Sequence, residues 1–170
     1  MSLDFLFILK KFVRKLSITI LLLLFIHFAV AQNYKRIDSL KRALAIAKED
    51  TNKVLLYEEL GFAYQWSLPD SSLLYSVPGL ALSTKLNFSR GQLEILLPIS
   101  EALSMKGNYS KALGFRFKAM ELARKTNNLQ NIANALALIG AVYYYSKDYE
   151  KALIYYYKAV ETYTVDLGSP

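Results

Sequence analysis

The chain has no cysteine, and its one histidine is His27. The first absence excludes disulfides, thiolate zinc sites, cysteine nucleophiles and a cysteine that could carry a lipid. The second excludes most imidazole catalysis and leaves no pair of histidines for a metal. Glycine-rich phosphate loops are missing too, because Gly61, Gly91 and Gly107 stand alone. No EF-hand pattern or ligand cluster occurs. Glu58 and Glu59 are adjacent, so on a helix they point to different sides and make no acid/base pair. These absences argue against an enzyme and give no reason to expect a cofactor or a metal.

What is present is largely apolar. Hydrophobic residues make up 54% of the 170 and aromatics 14%, enough for the core of one ordinary domain. Lysine and arginine number 21 against 14 acidic residues, a formal charge of +7. Part of that charge is local. Lys10, Lys11, Arg14 and Lys15 precede an uncharged run over residues 16–31. The run ends in Ala29-Val30-Ala31-Gln32, the small-x-small pattern that a signal peptidase accepts. It is shorter than the ~20 apolar residues that span a bilayer. Residues 1–31 therefore read as a cleaved signal peptide with His27 as a passenger; an uncleaved membrane anchor is the other reading. Cleavage leaves 17 basic and 13 acidic residues, a charge of +4, and neither histidine nor cysteine. The expected location is exported, periplasmic or otherwise extracytoplasmic, so no nucleic-acid partner is expected. Membrane contact is expected only if the leader is retained or a further span follows.

The rest of the chain repeats itself. Ser72, Ala112 and Ala152 lie 40 residues apart, as do Gly79, Ala119 and Ala159, and Tyr75, Phe115 and Tyr155. Gly61, Ser100 and Gly140 are spaced 39 and 40, with Tyr64, Leu103 and Tyr143 three residues after each. The one-residue slip is assigned to a shortened turn at Leu68-Pro69-Asp70. Such a period signals a stacked helical array. In the third unit Leu136, Ile139, Gly140 and Tyr143 share one helical face. Ser146 and Asp148 are cap-type residues before a second helix. Tyr149, Ala152, Tyr156 and Ala159 mark the buried face of that helix. The repeats are placed at about 52–91, 92–131 and 132–164, with a short tail to residue 170. Residues 32–51 are read as an N-terminal capping helix or half-repeat. Pro78 and Pro98 fall inside predicted helices, where breaks are expected.

Leu60-Gly61 with Tyr64 and Gly79, then Gly107, Tyr109, Ala112 and Ala119, then Gly140, Tyr143, Tyr149, Ala152, Tyr156 and Ala159 resemble the tetratricopeptide repeat (TPR) family. Its pattern runs Leu-Gly-x-x-Tyr, Gly-x-Tyr-x-x-Ala, Tyr-x-x-Ala. The likeness is fullest in the last repeat. Ser100 stands where the pattern has glycine, and Arg116 where it has an aromatic. The resemblance implies an all-α fold, a right-handed α-solenoid of antiparallel helix pairs. The family period is about 34, so 40 implies longer loops or an extra helical turn. HEAT repeats share the longer period but lack this Gly/Ala/Tyr set.

In that family the first helices line a concave groove. The resemblance puts Glu58, Phe62, Gln65 and Trp66 there from the first repeat. Glu94, Leu97, Glu101 and Met105 follow from the second. Asn134, Ala137, Ala141, Tyr144 and Tyr145 come from the third. The family's Lys/Asn/Arg clamp for a peptide carboxylate is missing. The implied role is a non-catalytic scaffold that binds a protein or peptide, with the glutamates and aromatics suiting a basic or apolar segment. Leader plus repeats is also similar to the N-terminal sensory region of bacterial membrane-bound sensor histidine kinases or transcriptional regulators. The runs Tyr143-Tyr144-Tyr145 and Tyr155-Tyr156-Tyr157 cannot be wholly buried, since three consecutive residues cover most of a helix circumference. No polar capping helix follows the third repeat, so a bare apolar end face is expected.

Overall fold

The computed structural model describes residues 3–125 and 128–166; the side chains of 3–9, 13, 22–33, 165 and 166 lie outside that description. The described residues form seven helices and no strand: α1 (Leu3–Ile46), α2 (Thr51–Tyr64), α3 (Pro69–Lys85), α4 (Ser89–Met105), α5 (Tyr109–Lys125), α6 (Leu129–Tyr145) and α7 (Tyr149–Asp166). The chain divides into two compact units, Met1–Ser39 and Leu40–Pro170.

The first unit is helical throughout its described length. Lys10, Lys11, Arg14 and Lys15 are exposed, and so are Leu16, Ile18, Ile20 and Leu21. His27 and the Ala29-Val30-Ala31 pattern belong to α1, but their side chains lie outside the described set. Among the described residues no helix is long and apolar enough to cross a membrane. The capping helix expected at 32–51 is not a separate element: it is the C-terminal part of α1, which ends at Ile46.

The second unit is a two-layer helical stack. Each helix from α2 to α7 packs against the next, and the first helices of repeats one and two, α2 and α4, also touch. The second repeat is a pair of 17-residue helices, and three-residue links close it on either side. Longer helices, not longer loops, thus account for the period of 40. The helices begin three residues earlier than the assigned repeat bounds, at Ser89 and Leu129. Capping explains the starts. Side-chain oxygens of Asp50, Asn108, Asn128 and Asp148 accept from the backbone N–H of Lys53, Lys111, Asn131 and Lys151, at 2.9–3.4 Å. The ends close alike. Asn87, Gly107 and Lys147 take left-handed φ values of 53°, 73° and 65°. The next N–H then reaches back to Ser83, Leu103 and Tyr143 carbonyls at 2.8–2.9 Å.

Small residues bring the helices together. A Cβ on Gly61 would lie 2.1 Å from Ser76 Oγ and 3.3 Å from the Pro98 ring. One on Gly79 would lie 2.6 Å from Tyr57 Cβ and 2.8 Å from Ile95 Cδ1. Around these contacts Val54, Leu82, Ile95 and Ile99 form the core, flanked by Tyr57, Phe88, Leu103 and Phe115. Each such fully buried aliphatic contributes about 1.5–3 kcal/mol. Ala112, Ala119, Ala152 and Ala159 are buried as well. Tyr64 stacks on Tyr75 at 5.8 Å and Tyr143 on Tyr155 at 5.4 Å, the same pair in repeats one and three. Lys41 lies over both Tyr64 and Tyr75.

Three expectations are corrected. Pro78 and Pro98 do not break their helices; α3 and α4 run through them. Proline removes one backbone bond, and burial of Pro98 against Gly61 offsets that loss. The one-residue slip is not a shortened turn. The link at 65–68 is one residue longer than its counterparts, and α2 stops three residues after Gly61, where α6 continues five past Gly140. Tyr149 and Tyr156 are not buried: they are 59% and 36% exposed. Helix α7 packs mainly on α6, which buries its alanine stripe and leaves much of the rest exposed. Leu153, Ile154, Tyr157 and Val160 on α7 are exposed. Residues 126–127 and the tail at 167–170 lie outside the described residues.

Candidate functional site

The C-terminal ends of α2, α4 and α6 come together. Trp66, just past α2, Met105 at the end of α4 and Tyr145 at the end of α6 line a depression of about 240 Å³ with Glu101, Ser104 and Tyr109. Each repeat supplies one large apolar side chain, and all three are at least 47% exposed. The rings of Tyr144 and Tyr145 meet at 6.0 Å, and Tyr144 meets Tyr149 at 5.5 Å. Equal helix lengths explain the convergence: links of matching geometry bring α4 and α6 to the same end of the stack. The aromatics at this end have no room in the core, because Gly61, Ser100 and Gly140 bring the paired helices too close.

A second space lies deeper. A cavity of about 130 Å³ between α4, α5 and α6 is lined by Glu94, Leu97, Arg116, Asn131, Asn134 and apolar neighbours. Arg116 is 3% exposed. Its Nη2 donates to Glu101 Oε2 at 3.1 Å. Nε and Nη1 are buried and find no acceptor among the described residues. Burial pulls the guanidinium pKa down, and the Glu101 charge and hydrogen bond push it back up. Asn134 Oδ1 accepts from the Tyr163 hydroxyl, which leaves the Asn134 NH₂ group to donate.

The remaining predicted residues fall elsewhere. Glu58 is half-buried on α2, with Oε2 lacking a hydrogen-bond partner among the described residues. Burial first, then the Glu94 charge, pushes its carboxyl up to about 7, against the opposing pull of Arg90. Phe62, Gln65, Ala137 and Ala141 are half-buried and line neither space. The predicted set thus divides: Trp66, Glu101, Met105 and Tyr145 meet in the depression, and Glu94, Leu97 and Asn134 in the cavity.

The glutamates are less acidic together than their sequence suggests. Glu101 is neutralised by Arg116, and Glu58 holds its proton to near neutral pH. Sequence reasoning missed Arg116, Asn131, Ser104 and the lining role of Tyr109. A charged side chain at a second-helix position reserved for an aromatic was the one available signal. Among the described residues no group of three or more acidic, histidine or cysteine side chains could hold a metal ion.

Comparison with known proteins agrees with this architecture. The tetratricopeptide repeat family matches residues 91–164. RapI in its apo form superposes with a TM-score of 0.71 at 19% identity, over 84% of this chain and 54% of RapI. A Rap protein complexed with Competence and Sporulation Factor gives 0.69 at 23%, over 80% of this chain and 40% of that one. A signal transduction ATPase with numerous domains and a tetratricopeptide repeat sensor, from Pyrococcus horikoshii, gives 0.69 at 23%, over 81% and 21%. The chain thus spans about half of the first of these proteins and less of the others. A search of curated proteins returns no match. At these identities the likeness defines the fold, an all-helical solenoid of tetratricopeptide type.

Proposed function

We propose that this protein is a non-catalytic scaffold that binds an extended protein or peptide segment, seating an apolar side chain between Trp66, Met105 and Tyr145. The carrying observation is the depression itself, which takes one exposed apolar side chain from each of three repeats. Aromatic and methionine anchors concentrate binding energy where a partner side chain can be desolvated. The similar Rap protein complexed with Competence and Sporulation Factor supports a binding role for this fold. With Glu101 paired and Glu58 proton-retaining, an apolar segment fits better than a strongly basic one. The absence of cysteine, and of histidine outside residue 27, supports a role without catalysis.

The chain carries its own probe, since Trp66 is its one tryptophan. Peptides selected from a random displayed library against the full chain should shift Trp66 emission to the blue as they saturate. Met105→Ala or Tyr145→Ala should weaken them about tenfold or more. Binding that leaves Trp66 emission and both variants unaffected would reject this site.

The proposal includes export. The basic residues 10–15, the apolar run and Ala29-Val30-Ala31 support it. The exported protein should begin at Gln32 by N-terminal sequencing. Recovery of Met1 in the membrane fraction would select the anchored alternative. The second reading is the sensory input of a membrane-bound histidine kinase or regulator, supported by the leader and by the likeness to a repeat sensor. The reading frame after Pro170 decides it: a further hydrophobic span and a kinase or DNA-binding module select the sensor, and an immediate stop rejects it.

A further inference from the structure

We propose that the cavity between α4, α5 and α6 receives an amide group of the bound segment, its oxygen on Arg116 and its N–H on Glu94. This deepens the scaffold reading and rests on it. Arg116 is almost wholly buried, yet two of its nitrogens lack an acceptor among the described residues, which is costly to leave so. A structural arginine would be expected to close these donors with backbone carbonyls. Arg116 is instead among the residues that line an open space of about 130 Å³.

The polar groups around that space are of two kinds. Arg116 and the Asn134 NH₂ group supply donors, and the Glu94 carboxylate supplies acceptors. Leu97, Leu93 and Leu138 form apolar wall. A carboxylate ligand fits the arginine but meets Glu94, and Glu101 already balances the guanidinium charge. A cationic ligand fits Glu94 but meets Arg116. An amide is neutral, accepts at oxygen and donates at nitrogen, so it satisfies both sides without adding charge.

The amide can come from an asparagine or glutamine side chain or from the peptide backbone. The test uses small probes on the full ¹⁵N-labelled chain, reading the Arg116 Nε–H resonance, assigned by its loss in Arg116→Lys. Acetamide stands for the side-chain amide, N-methylacetamide for the backbone amide and sodium acetate for an anion, at constant ionic strength. One of the two amides should shift the resonance saturably, at roughly millimolar concentration, with acetate about tenfold weaker or worse. Stronger acetamide assigns the side chain, and stronger N-methylacetamide the backbone.

Glu94→Gln guards against an Arg116→Lys protein that fails to fold, the wild-type resonance then being assigned through backbone correlations. It should weaken amide binding about tenfold and strengthen acetate. Acetate equal to or tighter than both amides overturns the proposal, and so does the lack of a saturable shift with any probe. None of these probes needs the Trp66 depression. Failure here with an intact Trp66 response would reject the amide cavity alone, and the converse would reject the anchor.

Discussion

Repeats one and two meet differently from repeats two and three. At the first junction α2 and α4 touch, and Gly61, Gly79 and Gly91 each accept a neighbour where a Cβ would collide. The core of this junction is apolar, built on Val54, Ile95 and Ile99. At the second junction α4 and α6 barely meet, and Glu94, Arg116, Asn131 and Asn134 surround a cavity. The contrast turns on one repeated position. Ser76, Arg116 and Tyr156 are its occupants in the three repeats. Ser76 is small enough to sit under Gly61, and Tyr156 lays its ring against Gly140. Arg116 brings a charge that must be compensated, and Glu101 supplies the counter-charge. A framework position can therefore give up close packing and retain a polar chamber without changing the fold.

The largest expected effect breaks the open junction. Glu101→Ala leaves Arg116 buried with no counter-charge and should cost about 3–5 kcal/mol in urea unfolding. Replacing both partners, Glu101→Leu with Arg116→Met, should restore most of that loss, because no charge then remains buried. A double variant as unstable as the single one would mean that packing, not charge, holds this junction. Next comes the closed junction. Gly79→Val forces a branched side chain into Tyr57 and Ile95 and should cost about 3 kcal/mol, whereas Gly114→Ala, where nothing lies within 4 Å, should be neutral or stabilising.

A smaller effect links the junctions through Glu58. Its carboxyl is raised to about 7 from an ordinary 4.5, so the folded protein holds this proton more tightly than the unfolded chain. The resulting stability is fully present below pH 4.5 and is lost as pH rises through 7. Glu58→Gln should flatten that decline, worth about 1 kcal/mol once partial exposure is allowed for. Stabilities that fall equally from about pH 5 to 8 in both proteins would contradict it. The smallest effect concerns the links. Lys147 adopts a φ of 65° where its counterpart is Gly107. Lys147→Gly should stabilise by about 0.5 kcal/mol, read as a raised thermal midpoint, and Asn87→Gly by less, because asparagine tolerates that conformation.

Much of the fold was legible because its determinants are local. The cap Asp148, the glycine at 107 and the alanine stripe at 112, 119, 152 and 159 each act within one or two turns of helix. Gly61 and Gly140 also pointed to close approach through their matching places three residues before Tyr64 and Tyr143. The continuity of α4 through Pro98 was not legible: it depends on a partner surface 37 residues away in sequence, at Gly61. Exposure of Tyr149 and Tyr156 was hidden for a similar reason. A helical face records what a residue can bury against, not whether a neighbour is there. For the site, the spacing brought Trp66, Met105 and Tyr145 into view, because a repeated register places equivalent positions in line. Arg116 stayed out of view as a functional residue. Only the tertiary structure gives it Glu101 as partner and a place in the cavity wall.

The helices from α3 onward begin at residues 69, 89, 109, 129 and 149, one every twenty residues. From α3 to α6 the helices are rungs of 17 residues each, and this part of the stack is a ladder with level rims. On such a ladder any change of one residue in a link rotates the next rung by about 100°. Its inward face would then turn away from its neighbour. The even count thus acts as a ruler. It keeps Met105 and Tyr145 on one rim, and it makes insertions tolerable only as whole rungs or pairs of rungs.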